Sequence, residues 1–291
     1  MRVLVVFNQK SGSAEDAPRE AILEALSSLG EASAIEPGKE DFAAAVDAAA
    51  AQADLVVAAG GDGTVNRTLN AIRDHLGRVA FAVVPLGTGN DFSRTLGVPD
   101  DPEEAARGIA DWSEREVDVC EALGAGVRQL FVNACIGGFP VEVDEHVNET
   151  IKKMLGPLAY VAAGAQAAAG LSRSTVTMNG RRIEDCVAAG VGNGRTCGGG
   201  VRVWPEADPG DGALDGCAMS ATGLIETVKL AATVRGGSHV DLDGVVTDRA
   251  AEITIEAEPE MEFNVDGELL GLTSPATFRV VGKLRVRAPE G

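Results

Sequence analysis

The sequence predicts an α/β domain followed by a mainly antiparallel β domain. In the first hundred residues, short apolar runs alternate with helical periodicity, the order typical of parallel β–α–β units. After about residue 115, strand-like segments dominate, and Asn179-Gly180 between two of them is a strong signal for a two-residue hairpin. We therefore expect domains at 1–117 and 118–291, with the last residues free to return to the first domain.

The first domain is predicted from buried strands and one-sided helices. The apolar run at 3–7 is continuous, as expected for a strand covered on both faces. Val65, Leu69 and Ile72 recur at spacings of four and three, which marks one face of a helix ended by Gly77. The predicted elements are strand 2–7, helix 18–30, strand 31–36, helix 40–52, strand 54–59, helix 65–76 and strand 79–84.

In the second domain, strands follow one another with few helices. Phe278, Val280, Leu284 and Val286 share one parity and basic residues fill the other, the pattern of a half-buried strand. The predicted strands are 116–122, 129–136, 174–192, 213–220, 252–256, 261–270 and 277–287, with helices near 139–170 and 222–234.

Composition excludes several classes of protein. The formal net charge of the 291 residues is −19, which argues against a nucleic-acid partner, because phosphate contacts need clustered Lys and Arg. The five cysteines are scattered and form no Cys-x-x-Cys pair, so we expect reduced thiols rather than a zinc site. No run is long and apolar enough to span a bilayer, and the start lacks the flanks of a signal peptide. We expect a cytoplasmic protein.

A glycine-rich loop follows the strand at 54–59 and opens the next helix. Its glycines let the backbone turn sharply and approach a ligand, while successive N–H groups and the helix N-terminus attract anions. An aspartate inside such a loop would repel phosphate unless a metal lay between them, which makes Asp62 a candidate for holding Mg²⁺. An ordinary tight turn is the alternative. The loop reads Gly60-Gly61-Asp62-Gly63-Thr64.

Two further loops belong to the same predicted edge. The run 85–92, Pro-Leu-Gly-Thr-Gly-Asn-Asp-Phe, follows the next strand, and a polar loop at 8–12 follows the first. Because ligands of parallel sheets bind at the carboxyl ends of the strands, these loops predict a metal–nucleotide site. Neither a Gly-x-x-x-x-Gly-Lys-Ser/Thr loop nor a dinucleotide Gly-x-Gly-x-x-Gly with a downstream acid is present.

A series of motifs runs through nearly the whole chain. In chain order they are Asn8…Ser11-Gly12, Gly60-Gly61-Asp62-Gly63-Thr64-Val65-Asn66, Gly87-Thr88-Gly89-Asn90-Asp91-Phe92, Phe131-x-Asn133, Gly192-Asn193-Gly194, Gly198-Gly199-Gly200, Pro205-x-Ala207-x-x-x-Asp211-Gly212-x-Leu214-Asp215 and Asp266-Gly267-Glu268. With them the sequence resembles the diacylglycerol kinase-like lipid kinases of the soluble bacterial type, relatives of the sphingosine kinases. Gln9 departs from the proline usual in that family.

The resemblance implies a fold and an activity. It implies a three-layer α/β nucleotide-binding domain like those of phosphofructokinases and NAD kinases, followed by a β-sandwich. ATP would donate its γ-phosphoryl group to the hydroxyl of a lipid across an interdomain cleft, with Mg²⁺ as the metal. Asn8, Ser11, Gly12, Gly87, Thr88 and the loop from Gly60 to Asn66 would bind ATP.

The resemblance also implies acidic roles. Asp62 and Asp91 would organise the catalytic metal through waters, and Glu268 would be the general base, with Asp118 as its acidic partner. Asp211, with the carbonyls of Asp208 and Ala213, would hold a structural metal. From the residues alone, Asp211-Gly212 and Asp266-Gly267 are more often plain hairpin turns.

The apolar stretch 154–171 has two interpretations. It is a helix packed on the second domain, or it is a wall of a lipid cleft. Lys152 and Lys153 precede it and would give transient, peripheral contact with an anionic membrane surface, at about 1 kcal/mol each. The oligomeric state stays open, a homodimer included, and the sequence does not name the lipid.

Two rival functions remain. NAD kinases also use a Gly-Gly-Asp-Gly loop, but the run 87–92 and the Asp-Gly-Glu near the C-terminus are lipid-kinase features. A nucleotide-sensing relative without transfer activity is disfavoured because every acidic residue expected for the chemistry is present.

Overall fold

The computed structural model describes residues 1–7, 19–38, 40–138 and 172–290. The strands are β1 (Arg2–Phe7), β2 (Glu31–Ile35), β3 (Leu55–Gly60), β4 (Ala80–Pro85), β5 (Glu114–Gly124), β6 (Val127–Phe131), β7 (Ala134–Gly137), β8 (Ser174–Met178), β9 (Arg181–Gly192), β10 (Leu214–Ser220), β11 (Val245–Ala250), β12 (Glu252–Glu258), β13 (Glu262–Val265), β14 (Glu268–Thr273) and β15 (Ala276–Arg287). The helices are α1 (Arg19–Ser27), α2 (Phe42–Ala50), α3 (Asp62–Ala71), α4 (Asp91–Leu96), α5 (Pro102–Asp111) and α6 (Leu224–Val234).

The first four strands form a parallel sheet in the order β2-β1-β3-β4. Strands β1, β3 and β4 are buried on both faces, which explains their continuous apolar runs, whereas the edge strand β2 is partly exposed. Val3 and Val5 pack in the cluster that contains Ile22 of α1 and Ile109 of α5. The alternate residues, such as Val6, pack instead with the residues of α2 and α3. The three predicted layers are therefore confirmed.

The second half is mainly antiparallel. Its strands run in the order β14-β13-β7-β9-β8-β12-β15, with β10 and β11 added beside β9. Phe278 lies at the centre of this core, edge-on to Phe131 and Phe263 at centroid distances of 6.4 and 5.2 Å. The predicted hairpin at Asn179-Gly180 is confirmed, since both residues adopt the left-handed backbone of a two-residue turn between β8 and β9.

Strand β15 joins the two halves of the sheet. It pairs antiparallel with β12 and along most of its length with β5, and its end pairs parallel with β4 through Val286 and Phe81. The parallel and antiparallel parts therefore form one continuous sheet. The boundary between 1–117 and 118–291 stays a prediction.

Several elements differ from the sequence-based expectation. The helix predicted to reach residue 76 ends at Ala71 and continues as a 3₁₀ turn, and the predicted strand 129–136 is split into β6 and β7. Helix α5 and strand β11 were not predicted, although Asp101 caps α5 by accepting the N–H of Glu104 at 2.8 Å. Among the described residues, no helix is long and apolar enough to cross a membrane.

Candidate active site

Two glycine loops meet at the carboxyl ends of β3 and β4. A Cβ atom added to Gly87 would lie 2.5 Å from the Cα of Gly61, so the two backbones touch and neither position has room for a side chain. A Cβ on Gly60 would lie 2.3 Å from Oγ1 of Thr64. These glycines therefore serve close packing of the loops, and the loops come together as the parallel sheet predicted.

The second loop is shaped by Asn90, which adopts a left-handed backbone with φ of 50° before α4. Its Oδ1 accepts the N–H of Gly87 at 3.0 Å, and its Nδ2 donates to the Gly87 carbonyl at 2.7 Å. This pair of hydrogen bonds closes the loop on itself and leaves Thr88 exposed at its tip.

Asp62 is the first residue of α3 and lies beside the second loop. Its Oδ1 accepts the N–H of Phe92 at 3.2 Å, and a Cβ on Gly89 would lie 2.7 Å from its Oδ2. Burial raises the pKa of the Asp62 carboxyl, against the N–H donors of Phe92 and Asp91, and the charge of Asp91 adds to the rise. Asp62 makes no ion pair within the described part of the chain.

Asp91 has a different environment, although it lies next to Asp62. Its two oxygens accept the N–H groups of Gly199 and Gly200, each at 2.8 Å, and Arg94 contacts Oδ1 at 3.3 Å. The glycine segment 198–200 is thus tied to the second loop. The predicted metal role of Asp91 stays a prediction, and its observed contacts are to backbone and arginine.

Glu268 begins β14 and approaches the start of α3. Its Oε1 occupies the space beside Gly63, where an added Cβ would lie 2.0 Å away. The structure therefore brings together Glu268 and the first glycine loop, which lie about 200 residues apart in sequence. A side chain at position 63 would displace the Glu268 carboxylate, so the glycine leaves open the space that this carboxylate occupies.

Two side chains of the first glycine loop are buried inside the protein. Thr64 is 3% exposed and Asn66 is fully buried. The Asn66 amide donates to the Leu130 carbonyl at 2.9 Å and to Asp266 at 3.1 Å, and its oxygen accepts from Gln129. The side chain predicted to bind ATP is therefore used inside the protein, where it holds α3 against the antiparallel half.

Asp118 lies on β5. Its side chain is fully buried, with Oδ1 2.6 Å from Nζ of Lys283 and Oδ2 accepting the N–H of Gly212 at 2.8 Å. These are its side-chain polar contacts among the described residues, and Glu268 is absent from them. The predicted partnership between Asp118 and Glu268 is not visible in this geometry.

The loop predicted to hold a structural metal is occupied by side-chain cations. Oδ2 of Asp211 contacts Nη2 of Arg249, and Oδ1 accepts the N–H of Ala213 at 2.9 Å. Oδ1 of Asp208 accepts the N–H of Gly210 at 3.0 Å. No group of three or more His, Cys, Asp or Glu in the described ranges is arranged to hold a metal ion. The predicted metal site, one carboxylate with two backbone carbonyls, stays a prediction, and in this structure the Asp211 carboxylate already pairs with Arg249.

A cavity of about 550 Å³ opens beside the two glycine loops. Asp62, Thr88 and Asp91, which belong to the two glycine loops, contribute polar side chains to its wall. The rest is largely apolar or glycine-lined, and its remaining wall residues are Gly89, Asn133, Ala134, Ile136, Cys197, Gly198, Gly199, Val201, Val203, Val234, Asn264, Asp266 and Gly267. The volume lies within the range of about 300 to 1,000 Å³ typical of ligand sites.

Sequence reasoning missed most of this cavity wall. Ile136, Val203 and Val234 come from three distant segments, and no local pattern distinguishes them from core residues. Asp266 was predicted only as part of the Asp266-Gly267-Glu268 motif or of a hairpin turn, within the predicted strand 261–270. Residues 8–12, which include Asn8, Ser11 and Gly12, lie outside the described ranges, as do Lys152, Lys153 and 154–171.

Comparison with known proteins extends this description. Residues 2–122 match the diacylglycerol kinase catalytic domain, and residues 133–287 match the YegS C-terminal NAD kinase beta sandwich-like domain. A probable lipid kinase YegS-like protein of Pseudomonas fluorescens is 36% identical over 249 residues, which cover 84% of this chain and 80% of the relative. A diacylglycerol kinase of Bacillus subtilis is 30% identical over 251 residues, which cover 85% and 82%.

A solved structure agrees. A diacylglycerol kinase from Bacillus anthracis superposes with a TM-score of 0.71 at 25% identity, covering 99% of this chain and 97% of that chain. The fold and its two glycine loops define an α/β kinase with an appended β-sandwich. The chain belongs to the diacylglycerol kinase family of lipid kinases, as the sequence motifs predicted.

Proposed function

We propose that this protein transfers the γ-phosphoryl group of ATP to the hydroxyl of a lipid inside the cavity beside the two glycine loops. The observation that carries the proposal is the polarity of the cavity. Asp62 and the two glycine loops line it together with the apolar side chains of Ile136, Val203 and Val234. A lipid has the same two-part character, with a polar hydroxyl next to apolar chains.

The polar wall residues of the cavity, Asp62, Thr88 and Asp91, suit a phosphate with a divalent cation. Mg²⁺ binds proteins through one or two carboxylates together with substrate phosphates and water. Asp62 fits this requirement because it lines the cavity, its carboxylate is partly buried, and it forms no ion pair among the described residues, the nearest cationic influence being the charge of Arg94. When bound, Mg²⁺ supplies positive charge that offsets the phosphates. Asp62 would hold it, and Asp91 would support it from the adjacent loop.

The protein residues supply positioning and proton transfer. The N–H groups at the start of α3 and the exposed Thr88 would orient the phosphates, and backbone dipoles favour their negative charge. The lipid oxygen forms a bond to the γ-phosphorus as the bond to the β-phosphate oxygen breaks, and ADP leaves. Glu268 accepts the hydroxyl proton, which contributes about 10²–10⁴-fold. We assign no role in this step to Asp118.

The test is transfer of label from [γ-³²P]ATP, with Mg²⁺, into a panel of pure lipids. The panel comprises diacylglycerol, phosphatidylglycerol, a sphingoid base and an isoprenoid alcohol in mixed micelles. We expect labelled phosphate in at least one of these lipids, and we name diacylglycerol first because the Bacillus subtilis relative carries that name. Label in none of them, with the protein folded, would contradict the proposal.

The role of the apolar wall residues in lipid binding is tested by enlarging one of them. Ile136→Trp should lower lipid phosphorylation about tenfold or more while leaving ATP affinity within about twofold, because the added ring fills cavity volume and Ile136 lies outside the two glycine loops. Ile225→Trp is the matched control, since Ile225 is 67% exposed on α6 and does not line the cavity. The same assay with NAD as acceptor distinguishes the NAD kinase alternative, for which label would enter the dinucleotide.

A further inference from the structure

Asp266 is a buried carboxylate in a place where a turn residue is normally exposed. It lies in the two-residue turn between β13 and β14 and is 6% exposed. Oδ1 accepts the N–H groups of Asn133 and Ala134 at 3.0 and 2.9 Å. Oδ2 accepts the N–H of Val132 at 3.0 Å and Nδ2 of Asn66 at 3.1 Å. All four lone-pair directions of the carboxylate are therefore used.

A plain hairpin does not explain these contacts. Asp266 and Gly267 have φ values of 46° and 90°, and Val265 pairs with Glu268 across the turn, as in many Asp-Gly hairpins. Such a turn needs no buried side chain. Here the Asp266 N–H also donates to the Ala134 carbonyl at 2.9 Å, so backbone and side chain both attach the turn to segment 132–134.

Keeping this carboxylate buried is costly. Burial raises the pKa of Asp266 to about 6, and the N–H donors of Ala134, Val132, Asn66 and Asn133 counteract part of that rise. No charged partner accompanies it among its described contacts. A buried charge held by dipoles alone is expensive, and a role in fixing a geometry accounts for its presence.

The geometry fixed by Asp266 is that of Glu268. Glu268 follows two residues later, and its Oε1 fills the space beside Gly63 of α3. Asn66, which binds Asp266, lies one turn further along the same helix, on the same face as Gly63. The turn is therefore hydrogen-bonded to α3 through Asn66, and Glu268 packs against the same helix one turn earlier, at Gly63. The turn is also attached to segment 132–134, which includes Asn133 and Ala134 of the cavity wall.

We infer that Asp266 is a positioning residue for Glu268, which sets its carboxylate against the start of α3 through the hydrogen bonds to Asn66 and to segment 132–134. The inference rests on the proposed role of Glu268 as the base. Asp266 lines the cavity, but its carboxylate is fully hydrogen-bonded to the protein, so its role is to position Glu268 rather than to react.

The test is a double-mutant cycle between Asp266→Asn and Glu268→Gln. An asparagine at 266 keeps the volume but turns an N–H₂ group towards two donors, the Val132 N–H and the Asn66 amide, so the turn must shift. A shift near 1 Å should lower kcat for the lipid on the order of 10²-fold, with KM for ATP within about twofold. Since Asp266 acts through Glu268, adding Asp266→Asn to Glu268→Gln should lower kcat by less than about threefold.

Asp185→Asn is the matched control. Asp185 also has a left-handed backbone, with φ of 50°, but it is exposed and does not line the cavity. We expect its kcat to equal that of the wild type. A loss caused by Asp266→Asn that is equally large in the Glu268→Gln background would overturn the inference, because the residue would then act independently of the base.

A crystal structure of Asp266→Asn separates this inference from the proposed function. The positioning account requires the Glu268 carboxylate to leave the space beside Gly63. An unmoved Glu268 would overturn it whatever the activity. If the wild-type protein phosphorylates none of the lipids, the proposed function fails, and the position of Glu268 in the variant still decides whether Asp266 holds it.

Discussion

The loops at Asp62-Gly63 and Asp211-Gly212 look alike in sequence and differ in how their charge is balanced. Asp62-Gly63 opens α3 beside the cavity, and Asp211-Gly212 precedes β10. Asp62 makes no ion pair among the described residues, whereas Asp211 contacts the guanidinium of Arg249. The Asp62-Gly63 loop therefore has, within the described ranges, an unpaired carboxylate that could bind a metal, whereas the carboxylate of the Asp211-Gly212 loop is already paired with a cation.

The Asp211-Gly212 loop is held by two basic side chains. Besides Arg249, Lys283 of β15 contacts Asp118 at 2.6 Å and donates to the Gly210 carbonyl at 2.8 Å. A divalent ion at the predicted site would compete with Arg249 for the Asp211 carboxylate. Because Arg249 and Lys283 link the loop to β11 and β15, we expect it to hold its shape without a metal.

The largest effect is expected at Asp62. Asp62→Asn removes a negative charge that forms no ion pair among the described residues of the cavity wall. It should lower kcat for lipid phosphorylation by about 10³-fold. The free energy of unfolding should not fall, because the burial that raises the pKa of Asp62 disfavours its charged form. Rates and urea unfolding are measured on the same preparation.

The control for Asp62 is Asp111→Asn, an exposed acidic position at the end of α5. It removes the same charge far from the cavity wall and should keep the wild-type rate. A rate for Asp62→Asn within about tenfold of the wild type would place the metal ligand elsewhere.

A smaller effect, on stability, is expected at the buried ion pair between Asp118 and Lys283, next to the Asp211-Gly212 loop. Lys283→Met leaves Asp118 buried without its cation and should lower the free energy of unfolding by about 2 kcal/mol, since Lys283 is partly exposed. Adding Asp118→Asn should recover most of that loss. If Asp118→Asn alone lowers kcat about 10²-fold at unchanged stability, Asp118 takes part in the chemistry, as the family resemblance implies.

The smallest effect is expected at Arg249. The pair with Asp211 is half exposed, so Arg249→Ala should lower the free energy of unfolding by less than about 1 kcal/mol. Its sharper consequence concerns metal. The melting temperature of the wild type should not respond to millimolar Ca²⁺ or Mg²⁺, whereas Arg249→Ala frees Asp211 and should melt higher when the ion is added. A wild-type protein that melts higher with either ion would contradict the compensated loop.

The fold was largely predictable because its signals are local. Buried runs such as residues 3–7 and the Asn179-Gly180 turn determine strands and a hairpin within a few residues. The meeting of the two glycine loops followed from parallel-sheet geometry. Partner choice was not predictable, because Asn66 with Asp266 and Asp118 with Lys283 are joined only after the whole sheet forms.

The same limit explains the interpretation of the acidic residues. Motifs identified Asp62, Asp91, Asp211 and Glu268 as one set, but they do not report which carboxylates acquire basic partners. Arg249 lies 38 residues from Asp211, and nothing in its local sequence marks it as a partner. Charge compensation is a property of the folded chain.

The most direct test is a crystal structure with Mn²⁺ and a non-hydrolysable ATP analogue, in which anomalous scattering locates the metal. The account predicts a manganese peak beside Asp62, between the two glycine loops, and the Arg249 guanidinium still on Asp211. A peak at Asp211 with Arg249 displaced, or the absence of a peak beside Asp62 when the nucleotide is bound, would contradict it.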